Sequence, residues 1–364
     1  MPVKTVGAIS TGPAEPFEYH EITVDDPRDD EILVKVTATG ICHTDLFFKG
    51  VIPAEVGPCL LGHEGAGVVA AVGAGITDVR PGDHVVLSYR SCGECVFCRD
   101  GHPTYCEQTA LLNALGHRAD GTPRLRLDGN PLLGNYFGQS SFAGHALAGR
   151  DNTGVVDGDV DLAVVAALGC GFQTGAGAVL NVLRPQPDSR LVIYGAGSVG
   201  FAALLAARTL GVQTIVAVDP LAARRTSAEA FGAIAVDPTA DDSDAQISAA
   251  TSGGATHALD TTGIPAVVSN ALAALAATAE LVVLGLGASD VTINVQDMLV
   301  KGKTLRGCIE GDSHVQRFIP ELVGLYKSGH FPIDRLVTRY RYDDINVAVA
   351  DQAAGKVIKP VLIW

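Results

Sequence analysis

Charge is scarce in this sequence: 18% of its 364 residues are charged against 47% hydrophobic, so the chain can bury a large core. Basic residues are scarcer still. The formal net charge of -14 argues against a nucleic-acid partner, which needs a basic face to displace counterions, and mainly implies solubility. No run of about twenty uninterrupted apolar residues occurs, so no membrane span is expected. The opening Met1-Pro-Val-Lys-Thr-Val-Gly7 lacks a charged segment followed by an apolar run and a cleavage site. A cytoplasmic protein is the expectation. Eight cysteines without an export signal point away from a disulfide framework and towards metal binding or reactivity. Aromatic residues make up only 5%, which makes any cluster of them informative.

What is present begins at Gly40-Ile-Cys42-His43-Thr44-Asp45, followed by Gly62-His63-Glu64 and Gly67. A thiol, an imidazole and two carboxylates lie in a short segment whose glycines permit tight turns. Zinc prefers nitrogen and sulfur, and a catalytic zinc takes three protein ligands with one open position. Cys42 and His63 supply two, and Cys170, in another glycine-flanked turn, is the best candidate for the third. Each alone would also suit a packed core; the combination is harder to explain that way.

Cys92, Cys95 and Cys98 stand at two-residue gaps, and Cys106 follows after seven intervening residues. Four such thiols satisfy a closed, tetrahedral structural zinc, which takes no part in a reaction. Cys59 and Cys308 remain without a role.

The chain from Val3 to about Leu87 reads as short β segments broken by glycine and proline, with residues 107 to 133 a long excursion. Aromatics then gather in Tyr136-Phe137-Gly-Gln-Ser-Ser-Phe142, either ordinary core or the wall of a substrate channel. From about Thr174 the pattern alternates between strand and helix. Leu191-Val-Ile-Tyr194 is followed by Gly195-Ala-Gly197-Ser-Val199-Gly200, a helix, the strand Thr214 to Val218, and Asp219. This is the strand, glycine turn, helix, strand, acid order of a dinucleotide site. Asp219 would accept ribose hydroxyls and repel a 2′-phosphate, favouring NAD over NADP; Arg224 and Arg225 weaken that preference.

These motifs resemble those of the zinc-dependent medium-chain alcohol dehydrogenases, over essentially the whole chain. Within that family, Cys42 to Leu46 and Tyr136 to Ala143 are most similar to the aryl (benzyl) alcohol dehydrogenases. The resemblance implies an α/β protein with a β-rich GroES-like catalytic domain, residues 1-173 and 309-364, and a Rossmann doubly wound parallel-sheet domain, 174-308. It implies two zinc ions per chain, bound by Cys42, His63 and Cys170 and by Cys92, Cys95, Cys98 and Cys106. Asp45 would orient His63, and Glu64 would lie behind the metal. His43 and Lys359 would meet the cofactor pyrophosphate, Thr174 would border the nicotinamide, and Arg224 would join Asp219 at the ribose.

The implied reaction is reversible oxidation of a primary alcohol, aryl or allylic, through an alkoxide on zinc, with Thr44 passing the proton and hydride moving to NAD. Many members place a histidine three residues after Thr44 to finish the relay; this chain has Phe47. The expected substrate wall is Tyr136, Phe137, Leu286 and Ile309. The alternatives are a thiol-adduct (glutathione-type) formaldehyde dehydrogenase and a non-catalytic NAD-binding protein. A homo-oligomer is the implied assembly, a dimer favoured by the long excursion after Cys106 and a tetramer the alternative.

Overall fold

The computed structural model describes all 364 residues, which divide into two compact units. One comprises Met1–Cys170, His314–Leu325 and Ile333–Trp364; the other comprises Gly171–Ser313 and Tyr326–Pro332. The division thus falls at 171 and 313, against 174 and 308 in the sequence reading, and adds the short segment 326–332.

The first unit is built on the strand Glu31–Gly40, whose β-branched, mostly buried sequence EILVKVTATG suits a strand covered on both faces. It pairs antiparallel with Gly65–Val72, His145–Gly149 and Lys359–Ile363. Register does the positioning. Thr39 pairs with Gly65 and Gly40 with Val361, so the turns carrying Cys42 and His63, and the residue Lys359, converge at one end of the sheet. Thr153–Val156, His84–Leu87 and Val337–Arg341 complete seven strands.

A second, five-stranded sheet contains Cys59–Leu60, Val3–Ser10, Glu18–Val24, Leu125–Leu127 and Asn130–Leu132. Its core includes Ile9, Ile22, Leu60, Tyr136 and Phe142. The excursion after Cys106 is therefore not a free loop. It ends in a hairpin joined to this sheet, and buried Arg118 donates to both oxygens of buried Glu31 at 2.9 and 2.8 Å.

The second unit holds six parallel strands: Arg190–Tyr194, Thr214–Val218, Ile234–Val236, Ala255–Asp260, Leu275–Val283 and Thr304–Gly307. Counted along the unit their spatial order is 3-2-1-4-5-6, the Rossmann order, in which ligands bind where the order reverses. Helices cover it because short apolar strands such as RLVIY are buried nearly throughout. No single helix is long and apolar enough to cross a membrane.

Candidate active site

Ligand-bearing atoms of Cys42, His63, Glu64 and Cys170 lie within 4.8 Å of one another, and all four residues are buried. The helix His43–Val51 begins just after Cys42, and its Asp45 folds back on the turn. One Asp45 oxygen accepts from Cys42 N–H at 3.0 Å; the other accepts from Gly62 N–H at 3.2 Å and contacts His63 Nδ1 at 2.7 Å. With Nδ1 donating to the carboxylate, Nε2 is left with its lone pair towards the two sulfurs. That Nε2 is buried without a hydrogen-bond partner.

A buried, partnerless imidazole nitrogen beside two thiols costs free energy unless something accepts its lone pair. A zinc ion fits. Burial disfavours charge on His63, but Asp45 and then Cys42 outweigh it and hold the imidazole well above its ordinary range, so a zinc ion at Nε2 would take the place of a proton there. The Cys42 thiol is held well below its own, first by the Cys170 hydrogen bond and, against burial, by His63 and Lys359. The site thus favours thiolate, the form a metal needs.

Glu64 lies behind the cluster, and Gly40 makes room for it: a Cβ there would fall 2.0 Å from Glu64 Oε2. Lys359 has a partner the sequence reading did not name. Its side chain has no exposed surface, and its ammonium sits 2.8 Å from both Glu64 oxygens, held above its ordinary range by that carboxylate against burial. Lys359 is thus the counter-ion of Glu64 here, and its contact with the pyrophosphate remains a proposal. His43 is exposed at the first position of the helix, and Thr44 Oγ1 lies 3.6 Å from Cys42 Sγ.

The aromatic segment folds over this cluster. The Phe137 ring lies 4.5 Å from the His63 ring and that of Tyr136 lies 5.6 Å away, edge-on. Asn135, Phe137 and Ser140 all adopt left-handed φ near 50° to 60°, strained for residues other than glycine and worth about 1–3 kcal/mol each. Tyr136 is 2% exposed and belongs to the core, its hydroxyl donating to Thr44 O at 3.4 Å. Of the two readings its motif allowed, it therefore takes the core one, while Phe137 is partly buried. Phe48, which the sequence reading passed over, stacks edge-on with Tyr136 at 5.6 Å and is exposed beside Phe47. Its signal was available: Phe48 is one helical turn beyond Thr44.

The four-cysteine lobe is preformed. Sulfur atoms of Cys92, Cys95, Cys98 and Cys106 lie within 4.8 Å of one another. Cys92 Sγ accepts from the N–H groups of Glu94 and Cys95, and Cys106 Sγ from those of Cys92 and Gln108, at 3.2–3.4 Å. Backbone donors at Cys98 and Glu107 bring Cys95 down to about 6. Burial pushes the Cys98 thiol up to about 12 and that of Cys106 upward as well, so it is the four-sulfur geometry that suits a structural zinc. Cys59 and Cys308 are isolated and buried; burial pushes the Cys59 thiol up to about 11 and that of Cys308 higher, as for inert packing residues.

In the second unit Gly195 has φ +92°, and a Cβ on Gly200 would meet Gly195 O at 2.0 Å, whereas one on Gly197 would meet nothing. The turn is tight on one side and open on the other, at the N-terminus of the helix Ser198–Thr209, as a pyrophosphate cradle requires. Asp219 stands at the end of the second strand, accepting from Ala196 and Leu221 N–H at 2.8 Å, with Arg224 3.5 Å away. Thr174 lies buried in the helix Gly171–Gly177 of the same unit, as Val199 lies in the first turn of the helix after Gly197. Leu286 and Ile309 are 62% and 45% exposed on this unit.

Comparison with known proteins gives this geometry relatives. Residues 28–134 match the model of the alcohol dehydrogenase GroES-like domain, and residues 198–327 that of the zinc-binding dehydrogenases. The chain is 45% identical over 354 residues to a geraniol dehydrogenase of Castellaniella defragrans, covering 96% of this chain and 95% of that one. It is 34% identical to an S-(hydroxymethyl)glutathione dehydrogenase of Escherichia coli, over 99% of this chain and all of the relative. The crystal structure of benzyl alcohol dehydrogenase from Acinetobacter calcoaceticus superposes with a TM-score of 0.95 at 39% identity, covering 99% of each chain. Two preformed zinc-type donor sets and a Rossmann unit, in a chain alike end to end to these enzymes, make it a member of the zinc-dependent medium-chain alcohol dehydrogenase family, whose cofactors are zinc and a nicotinamide dinucleotide.

Proposed function

We propose that this protein oxidises primary alcohols carrying an aryl or allylic group, reversibly, with NAD. The carrying observation is the His63 imidazole: fixed by Asp45, its partnerless Nε2 among two thiols, and its ring against Phe137. Cys42, His63 and Cys170 would hold the catalytic zinc, and Cys92, Cys95, Cys98 and Cys106 the structural one. When bound, zinc supplies a Lewis acid and the dinucleotide a hydride acceptor.

Thr44 receives the alcohol proton, being the hydroxyl next to Cys42 at the start of its helix. Phe47, three residues on and half exposed, has no atom to carry that proton further, so a group other than the residue at this position must take it. Asp45 keeps the proton of His63 on Nδ1. Phe137, with exposed Phe48 beside Tyr136, keeps water from the face above the ligands and offers a planar hydrocarbon an apolar surface. Asp219 supports NAD over its 2′-phosphorylated form, and His43 a contact with the pyrophosphate. A substrate contact by Leu286 and Ile309, both exposed, is part of the proposal.

The test follows nicotinamide absorbance with NAD and benzyl, cinnamyl, geranyl and simple aliphatic alcohols, before and after a chelator. Aryl or allylic selectivity that vanishes with the metal and returns with zinc supports the reading; equal or better kcat/KM for ethanol rejects it. The likeness to the glutathione-adduct enzyme favours a second reading, for which turnover of formaldehyde only with a thiol present is the sign. A homo-oligomer is proposed through Thr304–Gly307, the edge strand of its sheet, beside exposed Leu299 and Val300. A monomeric mass in light scattering would exclude it.

A further inference from the structure

We infer that Ser88 and Gln139 are positioning residues that fix the separation of His63 and Cys170 by tying together the two turns that carry them. His63 lies just before the strand Gly65–Val72, and Cys170 just after the short helix Ala166–Gly169.

The Gln139 side chain, 3% exposed, uses both ends of its amide at the first turn. Its Nε2 donates to His63 O at 2.8 Å, and its Oε1 accepts from Gly65 N–H at 3.0 Å. The same Nε2 donates to Ser88 O at 3.0 Å. Ser88, fully buried, then donates its hydroxyl to Gly169 O at 2.6 Å, on the residue before Cys170. A continuous polar path therefore runs from His63 through Gln139 and Ser88 to Gly169, joining segments 76 and 81 positions apart.

This path has little slack. Ser88 is pinned by Asn152, whose carbonyl takes the Ser88 N–H at 2.9 Å and whose amide reaches Ser88 O at 3.3 Å. At the far end, a Cβ on Gly169 would lie 2.2 Å from Leu87 O and 3.3 Å from Glu64 Cα, so the two turns meet backbone to backbone. Buried networks with satisfied partners are rigid, because each lost bond leaves a desolvated donor or acceptor. A metal needs its donors within a few tenths of an ångström of fixed distances. The backbone positions of His63 and Gly169 set that spacing, so the side chains fixing them tune metal affinity without touching the metal.

The inference rests on Cys42, His63 and Cys170 being the catalytic-metal ligands, so that assignment is measured first. A wild-type chain holding one zinc, or a Cys170→Ala chain holding both as firmly as wild type, overturns the assignment and the inference together. Given two zincs, Ser88→Ala and Gln139→Ala are expected to lower affinity for the catalytic zinc about ten- to hundredfold in chelator competition. The four-cysteine zinc is retained. Cobalt placed in the catalytic site should show displaced visible absorption bands, a signature of altered ligand spacing, and Ser88→Thr, which keeps the hydroxyl, should restore them. Unchanged affinity and bands in both folded variants overturn the inference while leaving the ligand assignment intact. Loss of both zincs together with the circular dichroism of the fold, even in the milder Ser88→Ala, also overturns it, by showing a general structural role.

Discussion

Glu64 and Lys359 lie 295 positions apart in the chain and form a fully buried ion pair, the ammonium 2.8 Å from each carboxylate oxygen. The pair closes the rear of the ligand cluster, since Glu64 is within 4.8 Å of the ligand atoms of Cys42, His63 and Cys170. Lys359→Met leaves the carboxylate buried without its counter-ion, which typically costs about 3–5 kcal/mol. Urea denaturation should show that loss, with the Glu64→Gln/Lys359→Met pair recovering much of it. A Lys359 variant of undiminished stability but weakened NAD binding would instead make it a phosphate ligand.

Asp45 receives three donors, from Cys42, Gly62 and His63. Asparagine has one acceptor oxygen and a donating amide that would oppose one of them. Asp45→Asn should therefore weaken the catalytic zinc about ten- to hundredfold, seen as faster inactivation by a chelator while the four-cysteine zinc stays bound.

Phe137 meets the His63 ring from a strained backbone position. Removing its ring in Phe137→Ala should lower kcat/KM for cinnamyl alcohol about tenfold relative to ethanol, an apolar-pocket loss of roughly 1–3 kcal/mol. A ratio of the two substrates equal to wild type would detach Phe137 from selectivity.

Glu31 ties the excursion after Cys106 to the central strand, and its carboxyl, despite burial, is held below its usual range by Arg118 and Arg124. A depressed carboxyl contributes stability that is complete above the ordinary carboxylate range and is lost as the pH falls through the lowered value. Melting temperatures of Glu31→Gln and wild type should thus differ most near neutrality and converge as the pH drops below 4 or so, the ordinary carboxylate range. A gap that stays constant down to acid pH would contradict the ion-pair account.

Local motifs were legible in the sequence because their geometry is local. Cys92, Cys95 and Cys98 can fold around one centre within a single turn and helix, and Gly195, Gly197 and Gly200 meet their requirements within one strand-to-helix turn. Cys42 and His63 stand in one short segment and Cys170 was singled out by its chemical kind, and the structure brings the three together. The partner of Lys359 was not legible. Whether a lysine beside a strand faces phosphate or a buried carboxylate depends on the residue packed opposite, and here that is Glu64, brought by the pairing of Lys359–Ile363 with Glu31–Gly40.

Spacing and residue chemistry by themselves marked the two kinds of metal donor set and the dinucleotide turn, and the family resemblance those motifs carry implied the fold class. Tertiary structure decided which atoms those donors face: the orphaned Nε2 of His63, the burial of Tyr136, and the Gln139 and Ser88 path to Gly169. The physical reason is range. Turn and helix preferences act over a few residues, whereas the orientation of a buried polar side chain is fixed by hydrogen-bond partners that strand register brings from far along the chain.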